Sequence, residues 1–303
     1  MSEDLARRLV RDEIGAEVRA ISRLGGGEVG RVYRVDTDRG SYVVKLVGGG
    51  PERAFADEPR GDRVYGSRWS NLRPAYDLLR AEGVATPILR ASGKRDGLGY
   101  AILDYLDGDA NDHSEAWFAC LGEALGRLHR ITRGFQGWVG MDRPYAEPWT
   151  SAFAADLQVR LERARPHLPA QLHAAVAARA KAMVGALDDP PAFVFSHEDG
   201  FQGVLGKHDG AWALLGVVDI EDHQFTDQRF VLSGFELSHA IDGRTVPPIF
   251  WSAYTARTRV SPSYATLRPM FQIYYLAVWV WVLSDRPTRL ASCVRQLQRI
   301  AAA

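Results

Sequence analysis

The chain is poor in cysteine, has no excess of either charge, and holds no apolar run long enough to cross a bilayer. Each shortage excludes something. Cys120 and Cys293 lie far apart in segments that read as helices, with no Cys or His at metal-ligand spacing nearby. That pattern is not a disulfide framework; it suits reduced thiols in a cytoplasmic protein. Thirty-seven basic residues against 37 acidic ones leave a formal net charge of zero, which removes the global electrostatic case for nucleic-acid binding. The longest apolar run, residues 273–283, is too short for a membrane span and reads as a core helix. The opening MSEDLARRLVRDEIG is charged and amphipathic, unlike a signal peptide. The expectation is a soluble cytoplasmic protein with no membrane and no nucleic-acid partner.

Core material, by contrast, is plentiful. Hydrophobic residues are 46% of 303 and charged residues 24%, enough for one large domain or two modest ones. Leu5, Leu9, Ile14 and Val18 fall roughly on one side of a helix over residues 2–20. LGGGEVGRVYRVD (24–36) and GSYVVKLV (40–47) then read as two strands joined by a DTDRG turn. The glycines sit at the start of a hairpin rather than between a strand and a helix, which argues against a dinucleotide fold. A polar, glycine-rich loop covers 48–68, a helix about 70–82, and ATPILRASG and LGYAILDYL supply two more strands. Beyond Asp107 helices dominate. Trp117, Leu121, Leu125 and Leu128 repeat at helical spacing behind a candidate N-cap, Asp112; Leu172, Val176, Met183 and Leu187 mark another helix. FVFS, VLG and AWALLGVVD interrupt the helical part as short strands.

Three constellations have the right chemistry for a site. Gly25, Gly26, Gly27 and Gly30 leave room for backbone N–H groups to approach phosphate oxygens, although a plain flexible hairpin would look the same. Lys45 stands in mid-strand, where an inward-facing ammonium needs an anionic partner; an outward-facing one would simply be solvated. In SHEDGFQGVL, His197 and Asp199 place a carboxylate at a turn between strands, where it can accept a hydroxyl proton. In GVVDIED, Asp219 ends an apolar strand with hard oxygens suited to Mg²⁺, and Glu221 and Asp222 follow.

Taken in order, these segments resemble the aminoglycoside phosphotransferase and fructosamine kinase family of kinase-like small-molecule phosphotransferases. The likeness is carried by LGGGEVGRVYRVDTDRGSYVVKLV, LLRAEGVATPIL, LGEALGRLHRI, FVFSHEDGFQGVL and LLGVVDIED, over most of residues 21–225. It implies an α+β, two-lobed protein-kinase-like fold. A small antiparallel-sheet N-lobe with one main helix would bind nucleotide (1–105), and a larger, mainly helical C-lobe would carry the catalytic loop and acceptor site (106–303). The boundary falls near residues 103–108. The resemblance assigns ATP, with GTP possible, and Mg²⁺. Gly25, Gly26, Gly27 and Lys45 would meet the phosphates, the backbone around Asp104 and Leu106 the adenine, Asp199 the substrate hydroxyl, and Asp219 the metal. His197 would brace the catalytic loop.

The chain also departs from that pattern. Five residues after Asp199 the family places a metal-binding Asn; here Val204 has no side-chain oxygen. Two candidates could substitute: the Gln202 amide oxygen if the loop is re-registered, and Glu198 if it swings toward the metal. The helix carboxylate expected to pair with Lys45 falls near Leu72, with Glu58, Asp62 and Asp77 out of step. Two functional readings follow: a phosphotransferase acting on a hydroxyl of a sugar, amino sugar or antibiotic-like metabolite, or a kinase-shaped protein that binds nucleotide or metabolite without transfer. A kinase acting on polypeptides fits less well, because no Ala-Pro-Glu signature follows Asp219. Glu198, Glu221, Asp222, Asp227 and Glu236 are acceptor-site candidates suited to a cationic amine, and Asp242 and Asp285 extend the acidic set. The protein is expected to be a monomer or homodimer.

Overall fold

The computed structural model describes residues 2–24, 30–47, 72–108, 113–140, 147–197, 203–220 and 223–302. Helix α1 (Ser2–Ile14) stops at Gly15, whose φ of 68° is the left-handed conformation that glycine adopts without steric cost. Val18 therefore begins strand β1 (Val18–Arg23) instead of continuing the helix, which corrects the expected helix over 2–20. Four further strands complete an antiparallel sheet: β2 (Gly30–Thr37), β3 (Gly40–Val47), β4 (Leu89–Arg95) and β5 (Leu98–Asp104), in the order β1-β2-β3-β5-β4. Alternation along β3 sends Tyr42, Val44 and Leu46 to one face, where they join Tyr33, Val35, Ile102 and Leu5, Leu9 and Val10 of α1. Burying each of those α1 side chains contributes about 1.5–3 kcal/mol. The opposite face of β3 is left for Ser41, Val43 and Lys45.

Helix α2 (Leu72–Ala81) precedes β4, and Leu72, Ala75, Tyr76 and Leu79 are buried on one side of it. Helix α3 (Glu115–Leu128) opens at Ser114, whose hydroxyl accepts from the Trp117 N–H at 3.2 Å. Asp112, the cap expected from sequence, lies outside the described residues. The chain divides into two compact units that are discontinuous in sequence. One comprises residues 1–117, 138–140 and 202–223; the other comprises 118–137, 141–201 and 224–303.

The second unit is mainly helical. It contains most of α3, then α4 (Trp149–Ala164), α5 (Ala170–Val184), α6 (Gln228–Ile241), α7 (Pro248–Thr255), α8 (Tyr264–Val282) and α9 (Pro287–Ala302). The apolar run over 273–283 is indeed core: Ile273, Tyr274, Leu276, Ala277 and Val280 of α8 are buried. No helix among the described residues is long and apolar enough to cross a membrane. Phe153 stacks on Tyr274 with ring centroids 5.1 Å apart, and Phe230 stacks on Tyr275 at 4.5 Å. A short sheet of order β10-β7-β6 is built from β6 (Thr132–Arg133), β7 (Phe193–His197) and β10 (His223–Thr226).

Candidate active site

The central observation is an ion pair between residues 174 positions apart. Lys45 Nζ donates to Asp219 Oδ1 at 2.6 Å. The lysine side chain is only 11% exposed and the aspartate 45%. Strand alternation explains the lysine: its neighbours on either side, Val44 and Leu46, occupy the α1 core, so Lys45 must project from the other face. It sits mid-sheet, opposite Val32 on β2 and Ala101 on β5, so flanking strands hold its backbone on both sides.

The aspartate is delivered by a hairpin of β8 (Gly203–His208) and β9 (Ala211–Val217). The Val217 N–H bonds to the Ala85 carbonyl at 2.9 Å, anchoring the end of β9. Two residues later Asp219 has φ 64°, a left-handed conformation that aspartate tolerates better than most side chains. Ile220, fully buried, follows, and its carbonyl lies 2.9 Å from His223 Nδ1. The turn is thus held by apolar burial on one side and backbone bonds on the other. An ammonium that can meet phosphate oxygens sits beside a carboxylate that can meet a hard cation. Among the described residues no group of three His, Cys, Asp or Glu side chains is placed to hold a metal ion.

The linker after β5 lies in the same unit. Arg90 grips Asp104 with two parallel bonds, Nε to Oδ1 at 2.7 Å and Nη2 to Oδ2 at 2.9 Å. The Asp104 N–H donates to Ile88 O and the Tyr105 N–H to Ser41 O, both at 3.0 Å. The Arg34 guanidinium covers the Tyr105 ring at 4.2 Å. Leu106 packs on β9: a Cβ added at Gly216 would stand 2.7 Å from Leu106 Cδ1. Of these linker residues the sequence singles out Asp104 and Leu106; Arg90, Arg34 and Tyr105 are contacts that the structure adds. The β4–β5 pairing shifts register between Leu89 and Ala91, which leaves Arg90 at the irregularity, a feature that no sequence pattern announces.

Several expected site residues fall outside the described residues: Gly25, Gly26, Gly27, Glu198, Asp199, Gln202, Glu221 and Asp222. His197 closes β7 as backbone, and its side chain is likewise outside the description. Asp77 is 57% exposed and pairs with Arg80 on its own helix, while Leu72, at the expected carboxylate position, is fully buried. Asp227 is 1% exposed; its carboxylate caps α6 through the Arg229 N–H at 2.7 Å and accepts the Arg229 guanidinium at 2.6 Å. Burial pushes its carboxyl up from the ordinary value, against the lowering effect of Arg229. Glu236 accepts from the Tyr264 hydroxyl and lies 3.4 Å from Arg268, with 18% of its side chain exposed. Asp242 lies near Arg244 and Arg289.

The family model for a phosphotransferase enzyme family matches residues 20–228. A probable ketoamine kinase of Staphylococcus aureus is 26% identical over 129 residues, which is 43% of this chain; the match spans 38% of that relative's length. Among solved structures, the aminoglycoside phosphotransferase APH(4)-Ia, in ternary complex with ADP and hygromycin B, superposes with a TM-score of 0.67 at 13% identity, covering 98% of this chain and 97% of that one. A putative fructosamine-3-kinase from Thermobifida fusca gives 0.64 at 20% identity, covering 97% and 98%. The fold is therefore that of the kinase-like small-molecule phosphotransferases, an antiparallel-sheet N-terminal part with a helical C-terminal part. Since the family match spans residues from β1 through the start of α6, taking in Lys45 and Asp219, this chain belongs to the phosphotransferase enzyme family.

Proposed function

We propose that the protein transfers the terminal phosphoryl group of ATP, or GTP, to a hydroxyl of a small molecule of the sugar or amino-sugar class. The observation that carries this reading is the Lys45–Asp219 pair at 2.6 Å. Lys45 would hold phosphate oxygens, Asp219 a magnesium ion, and the backbone at Asp104 and Leu106 the base. The cation, when bound, would neutralise phosphate charge. Asp199, with His197 bracing its loop, would accept the proton of the acceptor hydroxyl as that oxygen forms its bond to phosphorus and the bond to the departing nucleoside diphosphate breaks. Positioning and charge neutralisation are then the protein's whole task.

The relatives' names favour a ketoamine, fructosamine or aminoglycoside acceptor, each a polyhydroxylated amine, and the partly exposed Glu236 is a carboxylate suited to such a cation. Asp227 is a poorer candidate, because Arg229 already uses its carboxylate. A cytoplasmic setting fits Cys120 and Cys293, neither of which forms a disulfide. The rival reading, binding without transfer, rests on Val204, where the expected oxygen donor is missing. A panel of amino sugars and ketoamines assayed for nucleotide-dependent phosphorylation separates the two. Transfer to one of them that vanishes in Asp199→Ala, with folding intact, supports the enzyme; binding with no transfer to any supports the rival.

A further inference from the structure

The residue that troubles the catalytic reading has a definite place in the fold. Val204 sits on β8 opposite Gly216 on β9, at a point where the hairpin register shifts between Val204 and Leu205. Such a shift re-aims the side chains beside it. Val204 Cγ1 lies against Gly108, where an added Cβ would stand 2.8 Å from it, 2.8 Å from Leu215 Cδ1 and 2.5 Å from the Leu205 carbonyl oxygen. Gly108 is not among the positive-φ glycines, so space rather than backbone conformation calls for glycine there. The partner position repeats the device in reverse, since Leu106 Cδ1 fills the space left by Gly216. Two knob-and-gap contacts thus join the linker at 104–108 to the hairpin. Just past that hairpin, Asp219 meets Lys45.

We propose that Val204 is a positioning residue for nucleotide: with Leu215 and Gly108 it fastens the base-side linker to the hairpin that delivers the cation-binding Asp219. Its side chain is a packing knob rather than a metal ligand that has been lost. The proposal rests on the nucleotide-binding reading above and deepens it. An oxygen held at the Cγ1 position of residue 204 would face Gly108 in the linker. Removing the two methyl groups would loosen the spacing between base contacts and phosphate contacts while leaving Lys45 and Asp219 intact.

The test compares wild type with Val204→Ala, Val204→Thr and Val204→Asn. ATP affinity is measured calorimetrically with magnesium, and cation stoichiometry by manganese titration of the ATP-saturated protein with electron paramagnetic resonance. Val204→Ala should weaken ATP binding by roughly three- to tenfold, raising the nucleotide KM and leaving the acceptor KM unchanged. The isosteric Val204→Thr should restore most of that affinity, and Val204→Asn should bind no additional manganese. Leu215→Ala reports on the same contact from the other strand and should move ATP affinity in the same direction. Urea midpoints show which variants remain folded. Wild-type affinity in both Val204→Ala and Leu215→Ala, or an additional manganese ion in Val204→Asn, overturns the proposal while the nucleotide reading stands. A folded wild type that binds no ATP overturns both.

Discussion

His129 offers a prediction whose size follows from its burial. It lies just past the end of α3, 1% exposed, with Nδ1 2.7 Å from the Tyr254 hydroxyl, and Nε2 has no hydrogen-bond partner among the described residues. Burial drives its pKa down to about 3, from an ordinary 6.5. The folded protein therefore holds His129 neutral where the unfolded chain begins to take up a proton. This stabilisation is complete above the unfolded value and is lost as pH falls from there toward the folded one. Between pH 7 and pH 5 the unfolded imidazole takes up about 0.7 of a proton that the folded one does not, which costs about 2 kcal/mol. Carboxylates such as Asp188, whose hydrogen bond from Arg229 holds its pKa below the ordinary 3.8, lose their stabilisation in a lower window. Asp227 is shifted upward by burial and acts with the opposite sign, but it is common to both proteins compared. Urea unfolding of wild type and His129→Gln at pH 7, 6 and 5 isolates the imidazole. The wild type should lose about 2 kcal/mol more than the variant across that range. Parallel pH profiles would refute the reasoning, since a neutral buried imidazole cannot be removed without flattening the slope.

Lys45→Met should weaken ATP binding about ten- to hundredfold, the loss of a charge-assisted bond, as read by calorimetry. It should change the unfolding free energy by less than about 1 kcal/mol, because Asp219 is nearly half exposed. Arg229 is 3% exposed and fully bonded, to Asp227, Ser263 Oγ at 2.8 Å, the Asp188 carbonyl at 2.6 Å and the Asp188 carboxylate. Arg229→Met should cost about 3–5 kcal/mol in urea unfolding by stranding the buried Asp227, and an unchanged midpoint would show that the network contributes nothing.

Lys45 and Asp219 were legible because two local rules place them: a charged residue on an alternating strand, and a carboxylate at the end of an apolar one. Their meeting was legible only through the order of motifs, since no local pattern links residues 174 apart. The strands β2 to β5 and β7 to β9 followed from alternation and turn residues. Strand β1 did not, because VRAISR is mostly exposed and its two partly buried residues, Val18 and Ile21, are three apart, a spacing that continues a helix. The role of Val204 was hidden for a different reason. Judged by the family pattern it is a missing oxygen; the close approach of Gly108 shows where its Cγ1 methyl group packs.

On the proposed function, Lys45 and Asp219 together form a nucleotide and cation site. Calorimetric titration with ATP and GTP, with magnesium and then with chelator, tests it before any acceptor is known. Magnesium-dependent binding of at least one nucleotide is expected, with the magnesium dependence lost in Asp219→Ala. No binding of either nucleotide by a folded wild type, or magnesium dependence unchanged in Asp219→Ala, would contradict it.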